Sequence, residues 1–150
     1  MLPYDDLLSD LRGLYDGERD PIANAANTAA TIWQHLPDIN WAGFYFLHGD
    51  ELVLGPFHGK PACVRIAMGK GVCGTAAQRK ATVVVPDVHK FPGHIACDSA
   101  SNSEIVVPLI RGGKLIGVLD IDSPSHGRFA DADRAGCEAV AAAYVAALDG

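Results

Sequence analysis

A chain of 150 residues, 49% of them apolar and 20% charged, is enough for one domain whose core needs no disulfide support. Its 12 Lys and Arg against 18 Asp and Glu leave a net charge of -6, with no basic cluster beyond an isolated pair. That excludes the usual electrostatic footprint of nucleic-acid or anionic-membrane binding. The start, Met1-Leu2-Pro3-Tyr4-Asp5-Asp6, lacks the basic and apolar segments of a secretory signal. No stretch approaches the roughly 20 apolar residues that span a bilayer. One cytoplasmic domain over residues 1–150 is expected, and cysteines in that reducing compartment are more often catalytic, metal-binding or buried than structural cystines.

In chain order, Leu7, Leu8, Leu11 and Leu14 recur at helical spacing and predict a short amphipathic helix that Gly17 ends. Asp20-Pro21 reads as an N-cap and first turn. A second, alanine-rich helix over 22–36 follows, with Ala25, Ala29, Ile32, Trp33 and Leu36 turned inward. Trp41 to Leu47 and Glu51 to Leu54, joined at His48-Gly49-Asp50, read as a hairpin. Cys63 to Ile66 reads as a short strand, Gly71 to Gln78 as a short helix after a Gly-rich entry, and Thr82 to Val85 as a buried strand. Residues 87–103 form a long loop rich in Gly, Pro, Ser, Asp and Asn, and loops of that length in compact domains tend to be functional. Glu104 to Ile110 and Leu115 to Ile121 form a second hairpin, and Asp131 caps a final helix reaching Leu148. The fold class is α/β in the α+β sense: a mainly antiparallel central sheet with the N- and C-terminal helices packed on one face.

Three thiols crowd the middle of the chain. Cys63 sits in a strand, Cys73 at a helix start where amide N–H groups favour a thiolate, and Cys97 near the end of the long loop beside Asp98. Each could instead be a buried small apolar residue, the common state of a free cysteine. Cys137 shares a helix face with Val140, Ala141 and Tyr144, which predicts packing alone. Asp120 and Asp122 flank Ile121 and, on a strand, point to one face. Close like charges raise the apparent pKa of such a pair, so that one acid can give a proton to a leaving oxygen; the same group could hold an ammonium, or simply end a solvated strand. Glu104 opens the neighbouring strand and could join them.

Calcium or magnesium spacing is absent, and His94-x-x-Cys97 is half a zinc site without its second pair, so no metal is expected. The run Met68-Gly69-Lys70-Gly71-Val72-Cys73-Gly74 lacks the Lys-Ser/Thr ending of a phosphate loop; its glycines serve tight turns and close packing. Trp41 and Phe44-Tyr45-Phe46 read as core, with one aromatic free to line a pocket.

Taken together, these segments resemble the free methionine-(R)-sulfoxide reductases, small members of the GAF fold. The matching stretches are Asn40-Trp41-Ala42-Gly43-Phe44-Tyr45, Leu54 to Cys63, Gly69-Lys70-Gly71-Val72-Cys73-Gly74-Thr75, Pro86-Asp87-Val88-His89, Phe91 to Asp98, Ser103 to Pro108 and Gly117 to Ser123. Cys137 is outside that pattern. The resemblance implies reduction of the free amino-acid sulfoxide, with Cys97 as the nucleophile that becomes a sulfenic acid. It implies Cys63 as the main resolving thiol and Cys73 as a second or alternate one, the disulfide passing to thioredoxin by thiol exchange. It implies that Glu104 and Asp122 polarise and protonate the sulfoxide oxygen, that Asp120 helps bind substrate, and that Trp41 faces the substrate methyl group. No bound cofactor is implied, and a homodimer through the helical face is.

Two other readings compete. A non-enzymatic GAF sensor module would bind a small ligand and report it to an output domain; none is expected after the last helix, and binding alone leaves three thiols unexplained. A peroxide-reducing thiol enzyme would explain the thiols but not the three carboxylates.

Overall fold

The computed structural model describes residues 3–93 and 100–150. Helix α1, Pro3–Tyr15, carries Asp5 and Asp6 in its first turn and Arg12 in its last, matching the helix dipole. It buries Tyr4, Leu7, Leu11 and Tyr15 along one stripe. Helix α2, Pro21–His35, starts as its sequence predicts: the Asp20 carboxylate accepts from the Ala23 N–H at 2.8 Å, and Pro21 fills the first turn. Ala25, Ala29 and Ile32 face inward, and Leu36 after the helix is buried. Trp33 does not join them. It is exposed and stacks on His58, with centroids 6.0 Å apart, because its position leaves the inner stripe by a full helical step.

The strands are β1 Trp41–His48, β2 Glu51–Gly59, β3 Arg65–Ala67, β4 Val83–Val85, β5 Ser103–Arg111 and β6 Lys114–Ser123. They form one sheet in the order β3-β2-β1-β6-β5-β4, with every neighbouring pair antiparallel. Helix α3, Gly71–Arg79, lies between β3 and β4 in the chain, and α4, Asp131–Asp149, ends the fold. The α+β expectation therefore holds, with terminal helices on one face.

Alternation along the strands sorts residues into two cores. Ala42, Phe44, Ile105, Val107, Leu119 and Ile121 pack under α1, α2 and α4. Trp41, Tyr45, Val106 and Val118 face the other way, against Val72, Cys73, Ala76 and Ala77 of α3. Glu104, Asp120 and Asp122 occupy this second face by the same period of two.

Three local expectations shift. Cys63 precedes β3 instead of lying in it; Leu54 N–H donates to Val64 C=O at 2.9 Å just before ladder pairing begins at Val53–Arg65. β4 is a half-buried edge strand pairing only with β5, not a fully buried one. Asp131 opens α4 without capping it. The cap residue is Ala130, whose N–H donates to the Asp133 carboxylate at 2.9 Å.

The Gly-rich entry to α3 works through close packing. Gly69 and Gly71 have φ of 80° and 61°, which favours glycine, and Gly69 N–H donates to Gly74 C=O at 2.8 Å. A Cβ on Gly74 would sit 2.5 Å from the Ala67 carbonyl oxygen. Gly74→Ala should therefore lower stability by about 1–3 kcal/mol, read as an earlier urea midpoint; an unchanged midpoint would show that α3 can slide away from β3.

Candidate functional site

The register of three adjacent strands assembles the site. Asp122 of β6 lies opposite Glu104 of β5 on one side and Trp41 of β1 on the other. Two residues back, Asp120 lies opposite Val106 and Gly43. One face thus carries a rung of Glu104, Asp122 and Trp41, with Asp120 beside it. Gly43 has no room for a side chain: a Cβ there would meet Phe57 Cβ at 2.3 Å.

These side chains line a cavity of about 50 Å³ whose other walls are Tyr45, Pro61, Ala62 and Ser101 and the start of α3, Lys70 to Cys73. Trp41 is buried and braced, stacked on Phe57 at 5.2 Å and Tyr45 at 5.9 Å, with its indole N–H donating to the Lys60 carbonyl at 3.1 Å. The Tyr45 hydroxyl donates to the Cys63 carbonyl at 2.9 Å and so fastens the Cys63 segment to the cavity wall. Cys63 is disulfide-bonded, and the free thiols among the described residues are Cys73 and Cys137. Cys97, with His94 and Asp98, lies outside the described residues.

The electrostatics depart from those of a solvated strand end. Glu104 is 7% exposed and Asp120 5%. Burial first, then the neighbouring Asp120 charge, push the Glu104 carboxyl well above its ordinary range. Burial first, then Asp122, do the same to Asp120. The two acids, Asp122 and the Cys73 thiol lie close enough to act on one another's protons, with Cys73 Sγ 3.9 Å from Glu104 Oε2. They titrate as one set that retains protons to unusually high pH. Asp120 Oδ1 nevertheless has no hydrogen-bond partner, a buried acceptor facing a donor-poor site.

All three comparisons with known proteins point the same way. The model of the GAF domain matches residues 20–148. A free methionine-R-sulfoxide reductase of Escherichia coli K12 is 58% identical over 133 residues, spanning 89% of this chain and 81% of that protein. The chain belongs to the free methionine-R-sulfoxide reductases of the GAF family. A yeast member with the same name, from Saccharomyces cerevisiae, is 50% identical over 85% of this chain and 76% of its own. The Neisseria meningitidis free methionine-R-sulfoxide reductase, solved in complex with its substrate, superposes with a TM-score of 0.94 at 43% identity, covering 97% of this chain and 88% of that one.

Within this GAF domain the structure brings together Trp41, Cys73, Glu104, Asp120 and Asp122, as the sequence led one to expect, and holds Cys63 close by through Tyr45. Of the two readings open for Cys73, the structure favours the buried thiol over the thiolate. The side chain is 5% exposed, and burial first, then the charges of Asp120, Glu104 and Asp122, push its pKa well up; three nearby acids outweigh the amides of one helix turn. One atom each from Cys73, Glu104 and Asp120 lie within 4.8 Å of one another, but a cation there would have to displace the protons that burial retains. Cys137 is packed as predicted. It is 1% exposed, 3.7 Å from the Tyr4 hydroxyl, and pushed by burial up to about 12.

Sequence reasoning missed Ser101, which exchanges hydrogen bonds with Asn40 at 3.2 and 3.4 Å, and Lys70 at the start of α3. Asn40 directly precedes Trp41 in a recognised motif, and that adjacency was the only sequence signal that could have drawn attention to a partner in the loop.

The retained protons give stability a pH slope. The folded state binds more protons than the unfolded chain once pH exceeds the ordinary carboxyl range, so stability falls as pH rises through the raised folded-state values. Below the ordinary range both states are protonated and this contribution is complete. Asp120→Asn keeps the shape without an ionisable proton and should flatten the decline, measured as urea midpoints from mildly acidic to mildly alkaline pH. A wild-type midpoint that climbs with pH across that range would contradict buried, protonated acids.

Proposed function

We propose that this protein reduces free L-methionine-(R)-sulfoxide to L-methionine by thiol chemistry. The observation that carries the reading is the rung of Glu104 and Asp122 beside Trp41 and Asp120, all facing one cavity to which the disulfide-bonded Cys63 segment is tied. The relatives that carry the name, one of them solved with its substrate, support it.

The chemistry divides as follows. The Cys97 thiolate attacks the sulfoxide sulfur, while Glu104 and Asp122 hydrogen-bond to the oxygen and supply a proton as charge builds on it; an unprotonated oxide is a poor leaving group. The protonated oxygen then passes from the substrate sulfur to the Cys97 sulfur as the new sulfur–sulfur bond breaks, which releases methionine and leaves Cys97 as a sulfenic acid. The Cys63 thiol condenses with it, forming the disulfide and releasing water. Two thiols are oxidised by two electrons as one sulfoxide is reduced. Thioredoxin then returns both electrons by thiol–disulfide exchange. Cys63 in a disulfide with Cys73 free favours Cys63 as the resolving thiol.

Selectivity for the free amino acid follows from its ends. The orphaned Asp120 Oδ1 suits an ammonium, which a peptide-bound residue lacks. The first amides of α3 have no side-chain cap and line the opposite wall with Lys70, a setting for the carboxylate. Trp41 offers an apolar surface to the methyl group. In the disulfide state the cavity is far below the ~300 Å³ of typical ligand sites, so its walls must part to admit substrate. We extend the proposal to a cytoplasmic homodimer joined through the helical layer, where Leu14, Ile22 and Trp33 are exposed; no helix among the described residues is long and apolar enough to cross a membrane.

An assay on the R and S epimers of free and peptide-bound methionine sulfoxide should show turnover of the free R form alone. Cys97→Ser should abolish it, and Cys63→Ser should release about one methionine per chain and then stall with thioredoxin. Wild-type turnover by Cys97→Ser would move the nucleophile elsewhere. Glu104→Gln should slow the chemical step by about 100-fold or more with little change in KM; a change confined to KM would make Glu104 a binding group.

A further inference from the structure

Among the described residues of the site, Cys73 is a thiol whose surroundings do not suit electron transfer. A redox thiol needs exposure and thiolate character. Cys73 is 5% exposed, free, and surrounded by acids. Its sulfur reaches a carboxyl: Sγ lies 3.9 Å from Glu104 Oε2. It is also held rigidly. The turn before it uses two positive-φ glycines, Gly69 and Gly71, the Thr75 hydroxyl donates to Gly71 C=O at 2.6 Å, and Gly74 packs directly on the Ala67 carbonyl. A backbone this constrained places one atom accurately and leaves little travel for disulfide exchange.

We propose that Cys73 is a positioning residue for Glu104: its S–H donates to Glu104 Oε2 and holds that carboxyl against the cavity while the proton passes to the sulfoxide oxygen. The inference rests on the reductase reading for its chemistry and on the contact itself for its geometry. A thiol suits the task because it is a weak donor. A hydroxyl would bond the carboxylate more strongly, favour the anion and withhold the proton from substrate. The groups facing Glu104 are Asp120 and Asp122 from β6, Tyr45 from β1 and Cys73 from α3, with Lys70 on the cavity wall; β4 contributes only valines. Cys73 is thus the only uncharged side-chain donor that α3 brings to the set among the described residues.

The test compares wild type, Cys73→Ser and Cys73→Ala after full reduction. Methionine released in a single turnover is followed across pH, disulfides are counted by mass spectrometry, and the carboxylic-acid C=O band of Glu104 is titrated by infrared difference spectroscopy, assigned with Glu104→Gln. We expect one methionine and one disulfide per chain in all three. The pH profile and the infrared titration should move together, to lower pH in Cys73→Ser and to higher pH in Cys73→Ala, with Cys73→Ser about tenfold slower at mildly alkaline pH. Accumulated sulfenic acid or a missing disulfide in Cys73→Ser would make Cys73 an electron carrier and overturn the proposal, as would superimposable profiles. If wild type releases no methionine, the reductase reading fails and the infrared titration decides alone: a displaced band upholds the contact with Glu104, and an unmoved band rejects it.

Discussion

The placement of β6 between β1 and β5 is the constraint from which the site follows. Because side chains alternate along a strand, one register puts Asp122 between Glu104 and Trp41 and turns Asp120 to the same side. A slip of β6 by one residue would send Asp120 and Asp122 into the apolar core under α1, α2 and α4, where Leu119 and Ile121 now lie. The apolar residues between the acids therefore do more than fill space. They make the wrong register expensive and so aim the carboxyls.

Gathering three acids beside one another under α3 works against folding, since buried charge is unfavourable and like charges repel. The fold answers by holding Glu104 and Asp120 toward their protonated forms, and by packing continuous apolar layers on both faces of the sheet. In the proposed reaction, the same retained protons that weaken the protein toward alkaline pH would serve the departing oxygen. Stability and chemistry draw on one set of groups, in keeping with the tendency of functional sites to break the rules that the rest of a fold obeys.

Much of this was legible in the sequence. Period-two patterning around Trp41–Leu47, Glu104–Ile110 and Leu115–Ile121 marked the strands, and the Asp120-Ile121-Asp122 spacing placed two acids on one face. Strand ends were less legible, because β2 continues to Gly59 through Gly55 and Pro56, residues that usually stop a strand. Trp33 went astray because an alanine-rich helix offers little contrast between faces. The state of Cys73 was left open for a different reason: its helix start is local in sequence, while the acids that outweigh it arrive from strands about 30 to 50 residues later, a long-range effect no window captures. Ser101 was silent because its role depends on a contact with Asn40 across the fold.

The two tryptophans occupy opposite environments. Trp33 lies open to solvent against His58, whereas Trp41 is sealed in the cavity wall between Phe57 and Tyr45, on the rung that bears the acids. An aqueous quencher that collides with the first indole cannot reach the second. What fluorescence survives then comes from inside the cavity, and the protein carries its own optical gauge of that site, with no label attached.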